Sequence, residues 1–301
     1  MSQVECVISG AVLPKDLAGI QGLETGFQPS PVSQSRLLVS GPPGSGKSTF
    51  LNSNSALIML DEEKGGKTVA NPLAMRYTVP AHVPMGARDK AYLDFVDTIV
   101  ARRIAGKTDI EMVGIDSYNE MVETFVKAAC ARESVEDIGL VGGGHGRGYA
   151  QVRESINGML DKIHKAGLGW AIIVHSAIDK ETQTSYLDIF PSFVGPIHRK
   201  CEHSLWVEDG IERVPQPPIK KTIKGKVIET TQPDLEVAGR FLLSAPGGVW
   251  NSARVSDLKA RLPLPESIRL PRIGGWQAFT AAYNEAVINL IGGKYDGKEG
   301  N

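Results

Sequence analysis

The 301-residue sequence predicts an α/β fold with a mostly parallel central sheet flanked by helices, followed by a small C-terminal extension. Short apolar runs alternate with segments of helical periodicity, as they do in repeated βαβ units. Polar side chains follow several of these runs directly, at the strand ends where parallel sheets bind ligands. The composition, with 42% hydrophobic and 22% charged residues, is that of an ordinary globular protein.

Four short apolar runs are predicted to form the central strands, and two longer patterns are predicted to form helices. The strands are expected at 36–40, 56–60, 112–115 and 170–174. Apolar residues at steps of three and four predict helices over 87–105 and 152–163. Residues 205–207 and 241–243 are candidates for further strands.

The C-terminal part contains one more helical pattern. The apolar residues that recur there are Trp276, Phe279, Tyr283, Val287 and Leu290. They predict an amphipathic helix that ends at a pair of glycines and packs on the core; the alternative is a helix that binds a partner.

A basic stretch at 219–226 lies between a proline-rich and an acidic segment and predicts a solvated hairpin; the alternative is a hairpin that contacts phosphates. We divide the chain into an N-terminal segment at 1–30, a core at 31–210 and an extension at 211–301.

Charge and composition exclude several classes of protein. The net charge of −1 argues against a protein that coats nucleic acid by bulk charge. No apolar run approaches the ~18 residues of a membrane span, and the first residues do not resemble a signal peptide. The cysteines Cys6, Cys130 and Cys201 are too far apart to suggest a disulfide framework. We therefore expect a cytoplasmic protein without membrane contact.

Residues 41–48 fit the phosphate-binding pattern G-x-x-x-x-G-K-[ST] and follow the first predicted strand directly. Glycines in this pattern let the backbone wrap around phosphates, and the start of the following helix also faces the anion. Lys47 is expected to reach the β- and γ-phosphates, and Ser48 to supply a hydroxyl to Mg²⁺. The nucleotide-binding residues predicted by the pattern are Gly41, Pro42, Pro43, Gly44, Ser45, Gly46, Lys47, Ser48 and Thr49.

Asp116 closes the third predicted strand, which is the place of the Walker-B aspartate that helps to hold Mg²⁺. The alternative is a strand-end aspartate that caps the next helix. Ser117 follows it, so the Asp-Glu pair of ABC and many AAA+ ATPases is absent. An NKxD motif is also absent, which disfavours a GTPase.

Two further polar residues follow predicted strands. Glu63 is a candidate to activate the attacking water, with Glu62 as the alternative, unless both are solvated loop acids. His175 is a candidate sensor of the γ-phosphate; the alternative is a plain strand-end histidine.

These segments resemble the RecA-like ATPases, and most closely the phage-encoded nucleotide-binding branch associated with single-strand-annealing recombination. The matching segments are GPPGSGKSTF, IMLDEEKGG, MVGIDSYNEM and GWAIIVHS, and the resemblance covers roughly 33–280. It implies ATP as the nucleotide, with Glu63 catalytic, Asp116 at the Walker-B position and His175 as the sensor. The short stretch between Lys47 and the second strand is also typical of this branch, whereas the glycine-rich insert at 142–148 has no match.

The resemblance further implies that single-stranded DNA binds to two mobile loops, here 134–149 and 176–202. Arg147 and Tyr149 are candidate contacts in the first loop, and Lys180, Arg199 and Lys200 in the second. Arg199 and Lys200 alternatively act as γ-phosphate fingers across a subunit interface. The alternative is an ordinary flexible loop in the first segment and a packed aromatic loop in the second.

We therefore expect a homo-oligomeric, ATP-hydrolysing protein that acts on single-stranded DNA in recombination, repair or replication. A recombinase or single-strand-binding protein is the expected protein partner, in the host cytoplasm if the gene is phage-encoded. The alternatives are a nucleotide-gated adaptor or loader with little hydrolysis, and a small-molecule P-loop kinase.

Overall fold

The computed structural model describes residues 30–62, 72–178, 181, 185–188, 191–223, 226–230, 232–244, 249–250, 258–271 and 273–291. The strands are β1 (Arg36–Ser40), β2 (Leu57–Asp61), β3 (Met75–Tyr77), β4 (Met112–Asp116), β5 (Gly169–Ile173), β6 (Ser176–Ile178), β7 (Ser185–Leu187), β8 (His203–Val214), β9 (Ile219–Ile223), β10 (Lys226–Thr230), β11 (Leu235–Leu243), β12 (Val249–Trp250), β13 (Leu258–Ala260) and β14 (Ser267–Leu270). The α-helices are α1 (Lys47–Asn52), α2 (Arg88–Ile104), α3 (Tyr118–Glu133), α4 (Arg147–Lys165), α5 (Pro191–Lys200) and α6 (Gly275–Ile291), and short 3₁₀ helices cover Val32–Gln34, Met85–Ala87 and Ile138–Gly143.

In the described part of the chain, a mixed sheet of ten strands forms the centre of the fold. Six of its strands are parallel, in the order β8-β1-β5-β4-β2-β3. This order confirms the predicted α/β class with a mostly parallel central sheet, in which β1 lies between β5 and β8 while β4 lies between β5 and β2. The carboxyl ends of β1, β4 and β5 therefore meet at one edge of the sheet.

Helices cover both faces of the sheet, because the parallel strands are apolar on both sides. In β1, Leu38 packs against the cluster that contains α2, α3, α4 and α5, whereas Leu37 and Val39 pack on the side of α1 and α6. The three side chains are almost fully buried. The alternation of neighbouring residues between two cores explains why these strands have continuous apolar sequences.

The C-terminal extension continues the central sheet. β8 is parallel to β1 at its start and antiparallel to β11 beyond it, and it runs through residue 210, where we placed the end of the core. β11, β13 and β14 then add antiparallel strands, as expected for an extension with edge strands. The basic stretch forms the antiparallel β9–β10 hairpin, as expected.

Helix α6 packs on the core, as predicted, and contacts β14 and the short helix α1. The ring of Phe50 in α1 lies 5.8 Å from those of both Trp276 and Phe279. Phe279 and Tyr283 are buried as well. The helix that follows the phosphate-binding loop is therefore held by the C-terminal extension.

Parts of the two segments expected to be loops form regular structure, including the β6–β7 pair in the second segment. In the first, the 3₁₀ helix Ile138–Gly143 leads into α4, and a Cβ at Gly148 would lie 2.2 Å from the carbonyl oxygen of Ile138, so only glycine permits this approach. In the second, α5 occupies 191–200 because Phe193 and Ile197 are buried in the core. The prediction of irregular loops is wrong for these parts.

Candidate functional site

The loop between β1 and α1 has a backbone that requires its glycines. Gly41, Gly44 and Gly46 have φ values of 144°, 78° and 92°, a region that L-residues with a Cβ seldom adopt. A Cβ at Gly41 would also lie 2.2 Å from the carbonyl oxygen of Val207 in β8. The loop is therefore a tightly packed glycine cradle, of the kind that fits the phosphates of a nucleotide.

Lys47 is the first residue of α1, and its side chain is turned back over the loop. It is 6% exposed, and its Nζ donates hydrogen bonds of 2.8 and 2.9 Å to the carbonyl oxygens of Gly41 and Pro42. Ser45 is buried beside it, whereas Ser48 and Thr49 are half-exposed on the first turn of α1 and Pro43 is exposed. A cation thus lies within the cradle, and the Ser48 hydroxyl is accessible.

Asp116 ends β4 and lies in register with Asp61, the last residue of β2. Both carboxylates are buried, each 3% exposed, and Arg76 Nη1 lies 3.9 Å from Asp61 Oδ2. Ser117 then begins α3 as its N-cap, with its hydroxyl accepting a hydrogen bond from the Glu120 amide. Of these two aspartates, the sequence analysis assigned a role only to Asp116. The signal that could have pointed to Asp61 is its place at the end of the second apolar run, directly before Glu62 and Glu63.

Mg²⁺ would fit the Ser48 hydroxyl together with Asp116, because hydroxyl and carboxylate oxygens are the ligands that this ion prefers. Within the described residues, no cluster of three or more His, Cys, Asp or Glu could hold a metal ion.

Glu62 is anchored between α2 and α3. Its Oε1 accepts a 2.6 Å hydrogen bond from Thr124 Oγ1 and lies 3.5 Å from Arg88 Nη2, while its Oε2 accepts a hydrogen bond from the Tyr92 hydroxyl. Burial and this hydrogen bond raise the pKa of Tyr92. Glu63 lies outside the described residues, so its position is not part of this geometry.

His175 lies in the two-residue link between β5 and β6, one residue beyond the predicted strand end. It is half-buried, and its backbone amide donates a 3.1 Å hydrogen bond to Oδ1 of Asn119 in α3. Because β5 pairs with both β1 and β4, His175 lies at the same sheet edge as the cradle and Asp116.

The candidate DNA contacts of the first segment lie at the start of α4. Arg147 is exposed, and its Nη1 donates a 3.2 Å hydrogen bond to the carbonyl oxygen of Gly142. Tyr149 is half-buried and packs edge-on against Phe193 with ring centroids 6.4 Å apart. Since α4 leads down to the start of β5, its first turn lies at the carboxyl edge of the sheet.

The candidates of the second segment are not gathered at that edge. Lys180 lies outside the described residues. Arg199 and Lys200 end α5, which leads into the start of β8, so they lie at the opposite edge from the cradle. Lys200 forms a 2.7 Å ion pair with Asp161 of α4. Within one chain, the structure therefore separates these two residues from the phosphate loop.

Sequence reasoning missed Arg240, which β11 brings to the cradle. The guanidinium lies so close to Gly46 that a Cβ there would be 2.1 Å from Nη1. Its Nε also lies 3.4 Å from Asp209 Oδ1 of the paired strand β8. No motif surrounds Arg240, so only the register of β8 with β11 reveals its place.

A match to one protein family agrees with the loop motif. A search of curated proteins finds no significant match to the sequence. One similar solved structure is the crystal structure of the RadB recombinase, with 14% identity and a TM-score of 0.38, covering 80% of this chain and 90% of that chain. The family model of the AAA domain matches residues 33–192, which include the cradle, Asp116 and His175. Since this match spans more than half of the sequence, the chain belongs to the AAA domain family.

Proposed function

We propose that this protein binds ATP with Mg²⁺ at the glycine cradle and hydrolyses the γ-phosphate bond. The observation that carries the proposal is the position of Lys47, buried in a positive-φ glycine loop at the same sheet edge as Asp116 and His175. Lys47 and the loop amides bind the phosphates, and Ser48 with Asp116 holds the Mg²⁺ shell. Mg²⁺ supplies charge stabilisation at the phosphates when bound.

Glu63 is the proposed residue that orients and deprotonates the attacking water. The contacts of its neighbour support this choice, because both carboxylate oxygens of Glu62 are held by Thr124, Arg88 and Tyr92. A carboxylate held by three side chains is poorly placed to accept a proton from water at the γ-phosphate. His175 is the proposed γ-phosphate sensor.

Single-stranded DNA is the proposed partner. The protein, of phage type, would act on it as a homo-oligomer in recombination, repair or replication. Arg147 and Tyr149, at the carboxyl edge near the cradle, are the proposed contacts with phosphate and base. Lys180 remains a proposed contact from sequence alone. Arg199 and Lys200 act on a neighbouring copy if they act on a nucleotide, since they lie at the far edge of their own chain.

Two measurements test the proposal. ATP hydrolysis is measured with and without a single-stranded oligonucleotide, and binding of that oligonucleotide is followed by fluorescence anisotropy. Arg147→Ala is expected to weaken DNA binding, while Arg102→Ala is the matched control, since Arg102 is also exposed and also donates 3.2 Å to a carbonyl oxygen. If both variants bind the oligonucleotide with the affinity of wild type, the proposed DNA contact of Arg147 is contradicted. Absence of hydrolysis by wild type contradicts the ATPase.

Among the described residues, no helix has the length and apolar character needed to cross a membrane.

A further inference from the structure

A cavity of about 130 Å³ lies directly beside the glycine cradle. One side is formed by the end of the cradle and by α1, and the other by the C-terminal extension. Lining residues used in the argument are Gly46, Thr49, Leu73, Arg240, Ile273 and Gln277. Because Gly46 and Thr49 belong to both the cradle and the cavity, the two form one continuous surface.

The size of the cavity suits a single planar ring system. A cavity of about 150 Å³ in another protein accepts benzene. The space here is of the same order, so it takes a heterocyclic base but not a whole nucleotide.

The rim of the cavity is unusually apolar for an exposed surface. Leu73 is 53% exposed and Ile273 is 68% exposed, and both line the cavity. Ligand sites combine apolar walls with a small number of polar groups. A flat ring bound in the cavity would cover apolar surface of these two side chains.

A polar group lies at the same opening. Gln277, in the first turn of α6, is exposed, and its Nε2 donates a 3.2 Å hydrogen bond to the carbonyl oxygen of Ser53 in the segment after α1. This bond fixes the orientation of the amide, which still offers a second donor hydrogen and an acceptor oxygen. Such a group reads the edge of a base.

Arg240 lies where the cavity meets the phosphate loop. Its guanidinium covers Gly46, and its ion pair with Asp209 keeps it there. If the phosphates of a nucleotide lie in the cradle and its base lies in the cavity, the part that joins them therefore lies beside the Arg240 guanidinium.

We propose that this cavity is the subsite for the base of the bound nucleotide, with Leu73 and Ile273 as its apolar walls and Gln277 as its polar reader. The inference rests on the proposed nucleotide-binding function. Two of these three residues, Ile273 and Gln277, belong to the C-terminal extension, which lies beyond the matched AAA domain at 33–192.

Calorimetric titration with two probes tests the inference: ATP, and inorganic tripolyphosphate, which has phosphates but no base. We expect the double variant Leu73→Asn, Ile273→Asn to lose about tenfold in affinity for ATP and nothing for tripolyphosphate, because only the base contacts are weakened. The neutral substitution leaves the charge near the phosphates unchanged. Ile288→Asn is the control, since Ile288 is 67% exposed on α6 and does not line the cavity.

The outcomes separate this inference from the function on which it rests. Equal losses of affinity for both probes overturn the base subsite, and so does an ATP affinity no lower than that of Ile288→Asn. Neither result contradicts nucleotide binding at the cradle. A wild-type protein that binds neither probe overturns the proposed function and the subsite with it.

Discussion

The hydroxyl of Thr124 in α3 donates a 2.6 Å hydrogen bond to Oε1 of Glu62, the residue that follows β2. Arg88 and Tyr92, both in α2, contact the same carboxylate. Glu62 thus ties the end of a central strand to two helices. These contacts give Glu62 a structural role, and Glu63 is therefore the proposed catalytic carboxylate.

Replacing each glutamate should have a different effect. Glu63→Gln is expected to lower ATP turnover by about 100-fold or more while nucleotide binding remains, because the base that activates water is lost. Glu62→Gln is expected to lower the free energy of unfolding by about 1–3 kcal/mol, because a carboxylate acceptor becomes an amide among three donors. Turnover and urea unfolding are measured on both variants. Loss of turnover in Glu62→Gln, with full turnover in Glu63→Gln, contradicts the assignment.

The Mg²⁺ requirement should depend on Asp116. Asp116→Asn is expected to raise the Mg²⁺ concentration for half-maximal turnover about tenfold, because a charged oxygen near the ion is replaced by a neutral one. The control is Asp94→Asn, since Asp94 is exposed in α2 and paired with Lys90. Turnover is measured over a Mg²⁺ series at saturating ATP. An unchanged Mg²⁺ dependence in Asp116→Asn contradicts the proposed metal role.

Alkaline pH should destabilise the protein through Tyr92. Burial and the hydrogen bond to Glu62 raise the pKa of Tyr92 in the folded state, so the folded protein keeps a proton that the unfolded chain loses above its ordinary pKa of about 10. The stability from this group is complete below pH ~10 and is lost as the pH rises further. Urea midpoints from pH 8 to 11 should fall more steeply for wild type than for Tyr92→Phe. If the urea midpoints of wild type and Tyr92→Phe fall equally with pH, the proposed contribution of Tyr92 is contradicted.

The contact between α6 and α1 should contribute strongly to stability. Phe279 is fully buried and touches Phe50, Trp276 and Tyr283, so Phe279→Ala is expected to cost about 3–5 kcal/mol. Ile288→Ala, on the exposed side of the same helix, should change stability by less than about 0.5 kcal/mol. Denaturant unfolding measures both. Similar small effects in the two variants are incompatible with α6 as a core helix.

Local sequence patterns were sufficient for much of the fold. The strands β1, β2, β4 and β5 and the helix α6 follow from apolar runs and spacing, because each pattern reports burial of its own residues. The glycine cradle follows from its motif, because only glycine adopts those φ values easily. These features depend on neighbours in the chain.

Other features depend on distant contacts, which the sequence does not display. The insert at 142–148 was expected to be a mobile loop, but it is a turn of positive-φ residues that leads into α4, where Gly148 permits close packing against Ile138. Phe193 lies in the second segment that was expected to bind DNA as a mobile loop, and its side chain is buried in the core. The approach of Arg240 to Gly46 depends on the pairing of β8 with β11.

The most direct test of the central claim is the ATPase activity of Lys47→Ala beside that of Lys127→Ala. Lys47 lies buried in the glycine cradle, whereas Lys127 is an exposed lysine of α3 paired with Glu123. The account predicts that wild type and Lys127→Ala hydrolyse ATP at the same rate and that Lys47→Ala loses turnover by at least about 100-fold. Full activity in Lys47→Ala would contradict it.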